Sequence, residues 1–345
     1  MVKLILSCLL LVVSFGCATQ PESPSAAEPA TVLAATADAG ARSAVVYDIA
    51  DHASLPDRLD IPLIRRGGYL LVPGAVNGEP VGTMMIDTGA SLSVIAQGVA
   101  GRVGLEKDGQ GRTVGVGGIE SFDYYKVSDY TIGRSAAAGG VPGDALKLES
   151  EKMAGLSLLR FGRSLGISMG GIVGFTDLAD VPFSLDGARR QLTIYNPTAF
   201  RPPRSATRQR LHRYRKLPMV RAELSDGRQR VEVWLIIDYG ADNALTLPDT
   251  LLQRHPGVVS VNAAGTGRTR GIGGTVQSTQ TWVRNFRVFD LDLQDVPVNF
   301  EPPPPSLEGP RLIGRIGNTL LQHFRLTFHA KHGWVYAEWN PTAEE

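Results

Sequence analysis

The chain has 345 residues, 43% of them hydrophobic and 20% charged, with a formal net charge of +1. This balance of charges leaves no electrostatic footprint for nucleic acid. The two cysteines, Cys8 and Cys17, both fall near the N-terminus, which excludes a disulfide-stapled fold.

Met1-Val2-Lys3 is a short positive start, and residues 4–15 form an apolar run too short for a comfortable membrane span. Ser14-Phe15-Gly16-Cys17 follows, with a small residue just before the cysteine. The segment resembles a bacterial lipoprotein signal, although Ser14 stands where Leu is usual. Ordinary secretory cleavage is the alternative. The resemblance implies that residues 1–16 are removed and that Cys17 is lipidated. It also implies that the protein is anchored in the cell envelope. Ala18 is not the Asp that retains such proteins at the inner membrane of enteric bacteria, so the expected place is the outer membrane, facing the periplasm. Residues 17–45 are rich in Ala, Pro, Ser, Thr and Glu with no apolar period. They cannot bury a core and read as a disordered tether.

The next informative stretch is Met84-Met85-Ile86-Asp87-Thr88-Gly89-Ala90-Ser91. Three apolar residues deliver a strand to the interior, and an acid follows on a tight turn. A buried charge is costly unless it is hydrogen-bonded or shares a proton, so Asp87 is a candidate for chemistry. Asp-x-Gly also makes an ordinary turn. A glycine block, Gly115-Val116-Gly117-Gly118, comes next, then a strand-like segment over residues 124–132. Gly171-Ile172-Val173-Gly174 leads to a hairpin of residues 182–186 and 191–195.

The same series then recurs in the same order. Leu235-Ile236-Ile237-Asp238-Tyr239-Gly240-Ala241 repeats the acid turn. Gly271-Ile272-Gly273-Gly274 repeats the glycine block, and residues 281–291 repeat the strand-like segment. Gly314-Arg315-Ile316-Gly317 and a hairpin of residues 325–329 and 334–337 close the second copy. Many short, β-branched strands with glycine turns predict an all-β fold. Short helices are expected only after the Gly174 and Gly317 blocks and near residues 249–254.

Between the copies lies a connector over residues 197–216. From Arg201 onward it carries seven Arg or Lys and no acid. It reads as an exposed basic linker that could also lean on anionic headgroups. Glu301-Pro302-Pro303-Pro304-Pro305 reads as a stiff surface insert. The glycine blocks lack the Lys of a phosphate loop and open no helix. His323, His329 and His332 cluster near the C-terminus without a cysteine to help ligate, so no metal site is expected.

Together these blocks resemble a retropepsin-type aspartic protease written twice in one chain. The resemblance implies two homologous β-barrel lobes, residues 46–196 and 217–341, about a pseudo-twofold axis with a central cleft. It implies that Asp87 and Asp238 form the catalytic pair. Thr88, Gly89 and Ala90 then form one active-site loop, and Tyr239, Gly240 and Ala241 the other. Gly115, Val116, Gly117 and Gly118 become one substrate-covering flap, and Gly271, Ile272, Gly273 and Gly274 the other. The expected reaction is hydrolysis of a peptide bond by water activated between two carboxyl groups, with no cofactor and no metal. The partner is a peptide or protein substrate, and a fused pair of lobes needs no dimer.

Tyr239 departs from the family, which has Thr or Ser there. In the family these hydroxyls lock the two loops together. Either the packing has changed around Tyr239 or the pair is loosened. The alternative function is therefore a peptide-binding envelope lipoprotein with impaired catalysis.

Overall fold

A computed structural model describes residues 9–10, 14–16, 44–115, 118–133, 144–259, 265–271, 274–304, 307 and 311–340. These residues are dominated by strands, and their α-helices are only four to seven residues long. None of the described helices is long and apolar enough to cross a membrane.

Each copy of the sequence repeat folds into the same weave of strands. In the first, Glu79–Asp87 runs parallel to Met169–Gly174, with Met85 opposite Ile172 and Asp87 opposite Gly174. Met169–Gly174 is antiparallel to Val94–Ala96, which in turn runs parallel to Lys152–Leu156. In the second, Arg230–Ile237 runs parallel to Ile313–Ile316, with Ile236 opposite Arg315. Ile313–Ile316 is antiparallel to Leu245–Pro248, which runs parallel to Leu291–Glu301. These central strands are covered on both faces, so they read as continuous apolar runs rather than alternating ones. Met84, Met85, Ile86, Leu235, Ile236 and Ile237 are all fully buried. The fold is all-β, with two lobes of matching topology.

A six-stranded sheet joins the lobes. At its centre Phe183–Asp186 of lobe one is antiparallel to Phe324–His329 of lobe two, with Leu185 opposite Leu326. Phe183 and Phe328 stack across this seam at a centroid distance of 4.8 Å, and Phe175 packs edge-on against Phe328. Aromatic pairs of this kind add ~0.5–1.5 kcal/mol beyond the area they bury. The hairpins that close the two repeats thus weld the lobes to each other.

The basic connector is exposed along its Arg and Lys side chains, and it also forms strands. Thr207–Arg210 forms an edge strand of the interlobe sheet against Trp334–Trp339, and His212–Tyr214 pairs with Leu217–Ser225. Arg208 and Arg210 both lie over the Trp334 ring, at 4.2 and 4.6 Å. Their charges remain near solvent while their stems and planes cover apolar surface.

The helices expected after the glycine blocks are present as Phe175–Leu178 and Asn318–Leu321, and a third spans Thr250–Arg254. Two more, Gln97–Arg102 and Leu159–Leu165, carry no side-chain cap and left no start signal in the sequence. The strand expected over residues 124–132 is split into Gly118–Lys126 and Tyr130–Gly133. Its counterpart in lobe two is longer than expected. Gly274–Val288 turns at Phe289 and Asp290, both with positive φ, into Leu291–Glu301. Two consecutive left-handed residues give the turn that matches strand twist, and Phe289 is an unusual residue for that position.

Candidate active site

Asp87 ends a strand that three apolar residues carry into the core, and Asp238 follows an identically placed strand. Each acid is held by its own loop. The Gly89 N–H donates to Asp87 Oδ1 at 2.8 Å, and the Gly240 N–H donates to Asp238 Oδ1 at 2.9 Å. The loops then reverse in the same way. Ala90 N–H donates to the Asp87 carbonyl and Ala241 N–H to the Asp238 carbonyl, both at 3.3 Å. Each alanine carbonyl is taken by the helix that follows its glycine block, through Phe175 N–H in one lobe and Asn318 N–H in the other.

The two loops meet face to face. A Cβ on Gly89 would strike the Asp238 carboxyl, and a Cβ on Gly240 would strike that of Asp87. Glycine at both positions is therefore what lets the acids approach each other. The two carboxyl groups thus face each other across the boundary between the lobes. Both acids are fully buried, and each Oδ2 lacks a hydrogen-bond partner from any other described group. Two bare carboxylates could not persist so close together; a proton held between them relieves both. Burial raises Asp87 well above the ordinary carboxylate range, and the neighbouring Asp238 charge raises it further. Burial pushes Asp238 up to about 6, while the Arg315 guanidinium and the Gly240 N–H work in the opposite direction.

One half of the hydroxyl lock is present. Thr88 Oγ1 donates to the Ile237 carbonyl at 2.6 Å and accepts the Tyr239 N–H at 3.1 Å. The Tyr239 side chain does not supply the other half. Its ring is fully buried, and its hydroxyl points to the Leu185 carbonyl at 3.5 Å. The Tyr239 carbonyl instead accepts from Asn318 Nδ2 at 2.5 Å. The packing has changed around the ring, and the loop keeps its place by other bonds.

Gly115 and Gly118 bound the turn of one hairpin, and Gly271 and Gly274 bound that of the other. Gly118 and Gly274 take φ of +130° and +135°, which side chains avoid. Val116, Gly117, Ile272, Gly273 and Cys17 lie outside the described residues. Two short N-terminal strands show where the hairpins stand. Leu9–Leu10 pairs with Thr113 and Val114, and Ser14–Gly16 pairs with residues 269–271. Leu10 and Ser14 can be at most ~14 Å apart along the chain. The two hairpins therefore stand near each other, and each pairs with a short strand along its edge. A groove on lobe one, lined by Leu105, Lys126 and Glu149, lies elsewhere and holds none of these groups.

Two neighbours of the pair have no counterpart in the sequence expectations. Tyr69, from lobe one, hydrogen-bonds Asp242 of the second acid loop and senses both Asp87 and Asp238. Burial and these acids raise its phenol, so it stays protonated. Arg315 is hidden inside the repeated glycine block. A charged residue at the place of Ile172 is its signal, visible on aligning the two copies.

Residues 72–157 match a family model described as aspartyl protease. A search of curated proteins finds no match. Among solved structures, the basic 7S globulin from soybean is similar with a TM-score of 0.48 and 8% sequence identity, over 82% of this chain and 95% of that one. The matched segment contains Asp87 and the first glycine hairpin. Residues 72–157 are thus similar to an aspartyl protease, and the all-β structure buries a pair of aspartates where its two lobes meet.

Proposed function

We propose that the protein is an aspartic endopeptidase. The observation that carries this reading is the facing pair of buried carboxyls, each held by its own loop glycine and crowded by the glycine of the other lobe. In the pair, the ionised aspartate takes a proton from a water molecule. That water attacks the peptide carbonyl, and the protonated partner donates to the developing oxyanion. Sharing of one proton between paired aspartates is the general behaviour of aspartic proteases as a class, and the reading applies it to Asp87 and Asp238. The two glycine hairpins offer strand edges to an extended substrate.

The test is cleavage of a peptide library at mildly acidic pH, with and without a mimic carrying a hydroxyl between the carboxyls. Such mimics of the transition state bind far more tightly than substrate. Cleavage that the mimic blocks is expected, and cleavage indifferent to it contradicts the reading.

The half-formed hydroxyl lock at Tyr239 favours a second reading, a peptide-binding protein without turnover. Binding without cleavage across the whole pH range would select it.

The N-terminal pattern supports a place as well. In this reading the protein is anchored by lipid on Cys17, in the outer membrane and facing the periplasm. Changing Cys17 to Ser should release it from the membrane fraction, and an unchanged membrane fraction with no lipid mass on Cys17 contradicts the anchor. Removal of residues 1–16 would also clear the two strands from the hairpin edges.

A further inference from the structure

The two halves of the site are not electrostatically equal. Arg315 stands opposite Ile236 on the neighbouring parallel strand, two positions before Asp238. Residues 236 and 238 share a face of their strand, so Arg315 lies on the same face as the Asp238 carboxyl. In lobe one the residue at that register, opposite Met85 and two positions before Asp87, is Ile172. Arg315 is held in place by Glu301, with Nη2 to Oε2 at 3.0 Å, and both side chains are about 95% buried, at 4% and 5% exposure. The counterpart of Glu301 is Leu156. Leu156 stands two residues beyond Ala154, which pairs with Val94, and Val94 pairs with Ile172. Glu301 stands two beyond Asn299, which pairs with Thr246, and Thr246 pairs with Arg315. An apolar Ile172–Leu156 pair in lobe one is thus a buried ion pair in lobe two. Thr269, on the second glycine hairpin, donates to the other Glu301 oxygen.

Burying two charges is expensive and gains little stability over well-packed apolar residues. The same fold carries the apolar version a lobe away, so architecture alone does not require the ion pair. We propose that Arg315 is a positioning residue that makes Asp238 the ionised member of the pair and leaves the proton on Asp87. Glu301 orients the guanidinium and ties it to the second hairpin through Thr269. The inference rests on the peptidase reading and assigns roles within it: Asp238 as the base toward water, Asp87 as the donor to the carbonyl oxygen.

The groups around Asp238 agree with this direction. Asp87 faces it from lobe one, Arg315 from the adjoining strand, and the Tyr69 phenol approaches from lobe one while bonded to Asp242. Of these, Arg315 is the cation, and it draws Asp238 down against its burial. No such cation is among the leading influences on Asp87, which burial and Asp238 both raise.

The test transplants the lobe-one pair into lobe two. The full chain is made as wild type, as Arg315→Ile with Glu301→Leu, as Arg315→Gln with Glu301→Gln, and as Arg315→Lys. The Gln pair keeps a hydrogen bond without charge and serves if the Ile/Leu chain does not fold. The first readout is the pH profile of kcat/KM. Loss of the cation should move the acid limb up by about one pH unit, a tenfold loss of rate on that limb. Arg315→Lys should hold the limb near its wild-type place, and a purely structural role would move none of this. The second readout needs no turnover: carbon-13 titration of the Asp238 carboxyl in an Asp87→Asn background, with and without the charged pair. An upward shift on removing the pair supports the proposal, even if the wild type cleaves nothing and the peptidase reading fails. An Asp238 carboxyl that titrates at the same pH in both chains overturns it, even in an active peptidase.

Discussion

The Tyr239 N–H donates to Thr88 Oγ1 at 3.1 Å, across the boundary between the lobes. The same hydroxyl donates to the Ile237 carbonyl at 2.6 Å, so one threonine of lobe one fastens both sides of the Asp238 turn. Thr88→Val should strand a buried N–H and a buried carbonyl, at a cost of ~1–3 kcal/mol for each unsatisfied group. Thr88→Ser should keep most of the stability. Urea unfolding of the three chains measures this, and equal midpoints for Val and wild type would contradict the lock.

Tyr239 fills the core rather than the axis. Its ring is fully buried, and its hydroxyl contact with Leu185 is at the outer limit for a hydrogen bond. Tyr239→Phe should therefore change stability by less than ~1 kcal/mol. Tyr239→Thr supplies a small hydroxyl residue like Thr88 but empties the ring's space, at ~3 kcal/mol or more. It should lower activity as well as the melting temperature. A gain in activity from Tyr239→Thr would show that the ring loosens the pair.

Gly89 and Gly240 each face the opposite carboxyl with no room for a Cβ. Gly240→Ala should push Asp87 from its place, and a shift of around an ångström at reacting groups costs about 100-fold in rate. The KM effect should be the smaller one. Gly78, where a Cβ would meet nothing, has a left-handed φ of +80° and is a control for strain without contact. Gly78→Ala should lose stability and keep its kcat.

The repeat made the architecture legible, because Asp87 and Asp238 follow apolar strands and recur with their glycine blocks. Periodicity could show those strands but not their partners. The joining of the lobes through Leu185 and Leu326 is non-local pairing that no short stretch encodes. The composition of the basic connector describes its solvent exposure but not its strand pairing. Arg208 and Arg210 belong to an edge strand and cover Trp334. Tyr239 allows either a repacked loop or a loosened pair in the sequence, because residue type alone does not say which way a side chain turns. Arg315 sits inside a glycine-flanked block, and the sequence does not show that its strand register puts it on the face of Asp238.

The buried aspartates should also shape stability against pH. Burial lifts Asp238 from 3.8 to about 6, so the folded chain keeps a proton there that the unfolded chain has lost. Below the unfolded value both states are protonated and nothing is lost. As pH rises from the unfolded value through about 6, folding is progressively weakened, and the raised Asp87 extends the loss upward. A rise of about two pKa units corresponds to a loss on the order of 3 kcal/mol. Asp238→Asn should therefore flatten the slope and be the more stable chain at neutral pH. Denaturant midpoints between about pH 4 and pH 7 bracket that window. A wild type that gains stability over it, relative to Asp238→Asn, would contradict the raised carboxyls.

The central claim is that Asp87 and Asp238 act as one catalytic unit. Its most direct test is peptide-library cleavage by wild type, Asp87→Asn and Asp238→Asn from about pH 3 to 8, which brackets carboxyls raised by burial and pairing. The account predicts wild-type hydrolysis that peaks at mildly acidic pH and falls once both acids ionise. It predicts loss of turnover in both variants while each remains folded, because an amide neither accepts the proton of water nor shares one with its neighbour. Wild-type binding of peptides without cleavage at any pH, or cleavage that survives in Asp87→Asn, would contradict it.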